Sequence, residues 1–180
     1  VPGHQIGVSR GFDFTPPANV NSGTTTILVK NVSYQDAAGN LGSASGMVTI
    51  NYDTTVPTVV ITSNLSTVGM GQTANITFTF SEQPIGFEAG DITASNGTLS
   101  DLAVNAADNK VYTAIFTPTP GLTSGNASIT VASGAYKDAA GNNGAAGTSP
   151  SIGIDTLAPS VLISSSTSAL KIGETANITF

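Results

Sequence analysis

The 180-residue chain carries 11 acidic and 5 basic residues, a net charge of −6 with charged residues only 9% of the total, which argues against a nucleic-acid partner because phosphate recognition needs a basic face. With 20 Gly, 9 Pro, no Cys and no Trp it holds no disulfide scaffold, and the prevalent Ser, Thr, Asn, Gly and Val favour strands and turns over helices. No apolar run approaches the roughly 18 residues of a membrane span and no charged-then-apolar leader is present, so targeting information is expected outside this stretch.

In chain order, a polar lead gives way to Arg10, Phe12 and Phe14 alternating with Gly11 and Asp13, the period of a half-buried strand, which Pro16 and Pro17 end. Thr25, Ile27 and Val29 predict the next strand, residues 34–42 a loop, and Val48, Ile50 and Tyr52 another strand. Val59 and Ile61 follow, too short a run and too β-branched for a helix. A turn at Gly69 and Gly71 leads to the clearest alternation, with Ile76, Phe78 and Phe80 on one face and Asn75, Thr77 and Thr79 on the other. Residues 81–90 read as a loop containing Glu82 and Pro84. Residues 91–94 open a strand that breaks at Asn96-Gly97, a hairpin signal. Leu99, Leu102 and Val104 continue, Asp108-Asn109 predicts a turn, and Tyr112, Ala114 and Phe116 make a strand ended by Pro118 and Pro120. Ala127, Ile129 and Val131, then Ile152 and Ile154, close the series. Seven short strands in about 100 residues with no convincing helix predict an all-β, two-sheet sandwich of immunoglobulin type.

Much of this occurs twice. Tyr34, Asp36, Ala37, Ala38, Gly39, Asn40, Asp53, Thr54 and Pro57 return 102 residues on as Tyr136, Asp138, Ala139, Ala140, Gly141, Asn142, Asp155, Thr156 and Pro159. The run from Thr73 to Phe78 returns as Thr175 to Phe180. A period near 100 residues is too long for a solenoid unit and suits an array of whole domains. The expected division is the C-terminal part of one repeat at 1–52, a complete repeat at 53–154, and the opening strands of a third at 155–180. Neighbouring repeats of the same chain are then its first partners.

The strings DAAGN, DTxxP, GxTANITF, FSE, GFEAGDITASNGTLS and YTAIFTP resemble the tandem bacterial immunoglobulin-like repeats of giant type I-secreted adhesins and biofilm-associated surface proteins. The resemblance covers the whole chain and departs at Gln83-Pro84 and before Phe14. It implies an extracellular, bacterial cell-surface location, export through a C-terminal signal not present here, and a role as an extender carrying an adhesive tip away from the cell. It also implies calcium (Ca2+) at the domain junctions, where it stiffens the array.

The acidic residues bear on the same point from a different side. Only two acidic positions recur, the DAAGN aspartate (Asp36, Asp138) and the DTxxP aspartate (Asp53, Asp155). In a seven-strand sandwich the chain entry shares a pole with two of the loops, which places Asp53 near Glu82, Asp91 and Asp138. Each pair of such charges about 5 Å apart costs roughly 0.8 kcal/mol at the dielectric of water and about 3 kcal/mol at an effective dielectric of 20. A hard cation taking six to eight oxygens would neutralise them, with carbonyls of Ala139 or Gly141 and the amide of Asn142 as further donors. Against this, Asp and Asn before Gly are ordinary turn formers. The six Asn-x-Ser/Thr sequences (Asn31, Asn64, Asn75, Asn96, Asn126 and Asn177) follow from composition. His4 is the only histidine and has Ala106 as its counterpart, so neither a histidine triad nor a zinc site belongs to the repeating unit. A glycosidase cleft would want two carboxylates among aromatic residues, and the expectation is no enzyme. The competing reading is a carbohydrate- or protein-binding module that uses the acidic loop pole.

Overall fold

The computed structural model describes residues 10–180; His4 and the polar lead lie outside the described residues. Among the described residues the chain is all-β, its only helical piece a 3-10 turn at Ala89–Asp91. The strands are β1 (Gly23–Ile27), β2 (Val48–Tyr52), β3 (Val59–Ser63), β4 (Thr67–Gly69), β5 (Ala74–Phe80), β6 (Ile92–Ala94) and β7 (Gly97–Asn105). There follow β8 (Asp108–Pro118), β9 (Gly125–Ala127), β10 (Ile129–Val131), β11 (Gly147–Thr148), β12 (Ile152–Asp155), β13 (Ser164–Ser165) and β14 (Ile178–Thr179). They gather into two compact units: one made of residues 10–59 with Phe80–Phe87 and Ser133–Ala146, the other of Val60–Thr79, Glu88–Ala132 and Gly147–Phe180.

The second unit holds most of the core. Its four-stranded sheet runs β3-β5-β8-β7 and is accompanied by two three-stranded sheets, β11-β10-β6 and β4-β12-β9. The alternation in β5 is realised: Ala74, Ile76, Phe78 and Phe80 are buried while Asn75 and Thr79 are exposed. On β8, Ala114 and Phe116 continue that face, paired with Ile76 and Ala74. Val68, Ala127, Ile129, Val131, Ile152 and Ile154 are the buried residues of the other sheets. This is the β-sandwich of an immunoglobulin-like fold, with burial of roughly 1.5–3 kcal/mol per large apolar side chain as its principal driving force.

The first unit joins the β1-β2 pair, in which Gly23 faces Tyr52 and Ile27 faces Val48, to the loops at 80–87 and 133–146. Ile85 and Lys137 exchange backbone hydrogen bonds of 2.7 and 3.1 Å, and the Ser81 amide donates to the Thr58 carbonyl at 2.9 Å. Phe80, Phe87 and Tyr136 meet edge to face, with centroids 4.8 to 6.4 Å apart, a preferred geometry for aromatic quadrupoles.

Four expectations are corrected. Residues 10–16 are not a strand. Their counterpart within β8 is held on both sides, by β5 and by β7, and no such neighbours flank 10–16 among the described residues. Asn96-Gly97 is not a hairpin: β6 pairs with β10 while β7 pairs with β8, so the chain changes sheets there. Asn96 takes φ 52°, its side chain donates to the Asn126 carbonyl, and its own carbonyl accepts from Thr119. The real hairpin lies one step on, where Asn105 faces Asp108 across Ala106-Ala107 rather than turning at Asp108-Asn109. The single strand expected over 127–131 also divides at Ser128, β9 pairing with β12 and β10 with β6 and β11.

Candidate metal centre

All three carboxylates that meet belong to the first unit. Asp53 comes from the linker after β2, Glu82 from the loop after β5, and Asp138 from the DAAGN loop; one carboxylate oxygen of each lies within 4.8 Å of the other two. Asp138 is buried, 2% exposed, and its partners are half-buried.

The DAAGN loop builds this geometry from its own residues. Asp138 Oδ1 accepts from the Asn142 amide at 2.8 Å and Oδ2 from Asn142 Nδ2 at 2.7 Å. The Asp138 amide donates to the Asn142 carbonyl at 3.1 Å, and Gly141 supplies the φ of +93° that closes the turn without a Cβ penalty. Asn142 Nδ2 also donates to the Asp53 carbonyl at 3.1 Å, tying loop to linker. Asp53 Oδ1 accepts from the Thr55 amide at 2.9 Å. Behind the loop, the Tyr136 hydroxyl lies 3.1 Å from the Pro57 carbonyl and 3.0 Å from the Ala145 carbonyl, sharing its proton between them. Burial pushes that phenol up to about 12.

The electrostatics divide the carboxylates into two kinds. Burial pushes the Asp138 carboxyl up, but the hydrogen bonds from the Asn142 side chain and from the Asn142, Gly141 and Ala140 amides together outweigh it and hold it below the ordinary value. Glu82 is raised, first by burial and then by the negative charges of Asp138 and Asp53. The donor set therefore fits a hard divalent ion: three carboxylates within reach of one point, irregular loop geometry and oxygen donors only. Thr55 Oγ1, on the residue whose amide Asp53 holds, is a buried side-chain oxygen left without a hydrogen-bond partner. A shallow depression of about 540 Å³, lined by Tyr52, Asp53, Ala139 and Ala140 among others, opens beside the group.

The other expected ligands do not join it. Asp91 is corrected: it belongs to the second unit, where its Oδ2 accepts from the Glu88 amide at 2.8 Å in a reciprocal capping box around Ala89–Asp91. Asp36 is exposed and repeats the loop geometry, with Oδ1 accepting from Ala38 and Asn40 amides and Oδ2 from Asn40 Nδ2, chiefly the last of which lowers its pKa. Asp155, at the end of β12, accepts a long 3.4 Å contact from the Leu157 amide. Neither belongs to a group of three metal-ligating side chains among the described residues. The roles of Asn142 as the loop-to-linker tie and of Tyr136 as the loop's anchor were not read from the sequence. A signal for the second was there: Gly42 and Gly144 each stand eight residues after the repeated tyrosine, and any Cβ there would run into the Tyr34 or Tyr136 ring.

The all-β sandwich, with sequence motifs that recur 102 residues apart, defines an immunoglobulin-like class of domain. Residues 53–154 match the family described as bacterial Ig-like domain, and the chain belongs to that family. Domains of this family are typically structural, non-enzymatic modules and are common in extracellular and surface proteins. No curated protein and no solved structure matched the chain.

Proposed function

We propose that the chain is part of a bacterial cell-surface adhesin, exported by a type I system, in which residues 53–154 form one complete extender repeat and 1–52 and 155–180 belong to its neighbours. Calcium bound by Asp53, Glu82 and Asp138 stiffens the junction, and the stiffened array supports adhesion or biofilm formation. The observation that supports this reading is the convergence of three carboxylates, one from the segment after β2 and two from loops that follow it.

The ion supplies positive charge at the one place where the linker and the repeat would otherwise repel. Asp138 is set for ionisation by its own loop, Asp53 brings the linker, and Glu82 becomes a ligand once its charge is balanced. Extracellular modules of this kind need dissociation constants of only about 10⁻⁴ to 10⁻³ M, so the joint would be slack in the calcium-poor cytoplasm and set outside the cell.

Isothermal titration of the chain with calcium checks the site. One strong event in the submillimolar to millimolar range is expected, weakened at least tenfold by Asp138→Ala or Asp53→Ala and unaffected by Asp91→Ala. Absence of calcium binding, or equal loss with Asp91→Ala, would leave a metal-free spacer or a binding module at the acidic pole.

A further inference from the structure

A second repeated feature lies beside each linker aspartate. Thr54 Oγ1 accepts from the Val20 amide at 3.0 Å and donates to the Pro17 carbonyl at 2.7 Å, while the Thr54 amide donates to the Val20 carbonyl at 2.9 Å. In the second unit Thr156 does the same: Oγ1 accepts from Leu122 at 3.0 Å and donates to the Thr119 carbonyl at 2.8 Å, and its amide donates to the Leu122 carbonyl at 2.7 Å. Pro17 and Val20 stand at the same repeat offset from Thr119 and Leu122. The arrangement therefore recurs on receiving residues of different type, because what it grips is backbone.

A hydroxyl suits this place because one atom both accepts and donates. It must accept from one amide and donate to one carbonyl three residues away, which a valine of the same shape cannot do. The β-branch restricts χ1 and helps hold the hydroxyl in place. Thr156 is 4% exposed, so its bonds are shielded from competing water. None of the three bonds involves Asp53, Glu82, Asp138 or their loops.

We propose that Thr54 and Thr156 are metal-independent clasps that fix each linker to the repeat before it, so that calcium governs only the linker's attachment to the repeat after it. The proposal rests on these residues being repeat junctions, as in the function proposed above, but not on calcium being the ion. The upstream side of the joint is then held by hydroxyl-to-backbone bonds and the downstream side by the carboxylates, each independent of the other.

Amide hydrogen exchange by NMR on the whole chain tests this, in millimolar calcium and then in EGTA. The Val20 and Leu122 amides, which donate to the two hydroxyls, are expected to keep their protection on chelation within about threefold. Thr54→Val should speed Val20 exchange by about tenfold or more in both conditions, leave Leu122 unchanged, and leave the calcium affinity within about threefold. Thr54→Ser, which restores the hydroxyl, should restore most of the protection. Thr156→Val gives the mirror result at Leu122 and serves if the first variant fails to fold. Chelation that speeds Val20 and Leu122 as much as the valine variants do, or valine variants without effect, would overturn the clasp. Failure of the calcium reading shows itself differently, as absent calcium binding with Val20 and Leu122 still protected.

Discussion

At the residue scale the centre turns on Glu82, the carboxylate with the least support. Its pKa is raised, so the folded chain binds that proton more tightly than the unfolded chain does. In chelator, stability should therefore increase as pH falls from neutrality towards the ordinary glutamate value of 4.5. Asp138 has the opposite sign: its pKa is lowered, and its contribution is present above 3.8 and lost as pH falls below it. The metal-free chain should accordingly be most stable on the acidic side of neutrality, between these two limits. Glu82→Gln removes the upper limb of that profile. The same variant should raise the thermal midpoint in chelator at pH 7 and lower it in calcium, because it takes away a repulsive charge in one case and a ligand in the other. A shift of the same sign in both conditions would show that Glu82 is not facing an ion. Asp53, Glu82 and Asp138 were legible in sequence because chain entry and loop order are properties of the topology. Asp91 was expected at the same pole because the loops share it, whereas its carboxylate accepts from the Glu88 amide in a capping box around a three-residue turn, a local role that loop order does not reveal. The recurrence of Thr54 as Thr156 was plain, but its role was not, because its partners are backbone groups, which every residue carries.

At the element scale, side-chain alternation carried the strands with a buried face, as in β5 and β8, and failed where the chain changes sheets. Asn96-Gly97 has the composition of a hairpin turn, yet the residues on either side pair with different partners, β10 and β8. A turn propensity reports backbone conformation and not which strand lies next door. Gly97 shows why that position is demanding. A Cβ there would run into the Phe116 ring and the Thr117 carbonyl, and Phe116 is fully buried in the core. Gly97→Ala should thus destabilise the chain by about 1–3 kcal/mol, the usual cost of overpacking, seen as a lower denaturant midpoint with the slope unchanged. A neutral substitution would mean that β7 can slide away from β8 freely. The same scale accounts for residues 10–16 and for the end pieces: Phe12, Ile163 and Ile178 are 73%, 60% and 50% exposed, since alternation makes an apolar face but only neighbouring strands bury it.

At the scale of the whole molecule, the 102-residue offset is the most informative property of the sequence, since it carries both Asp53 and Thr54 to their counterparts Asp155 and Thr156. The proposed joint then has two sides of different chemistry. Threonine bonds hold the linker upstream, and carboxylates with calcium hold it downstream. Small-angle X-ray scattering from two complete consecutive repeats, in millimolar calcium and then in EGTA, tests the calcium-stiffened junction most directly. The account predicts that chelation shortens the maximum dimension and broadens the distance distribution, and that replacing the DAAGN aspartate of the downstream repeat by alanine produces the chelated profile even in calcium. A maximum dimension and distribution indifferent to chelation, or a variant that still responds as the unsubstituted protein does, would contradict it.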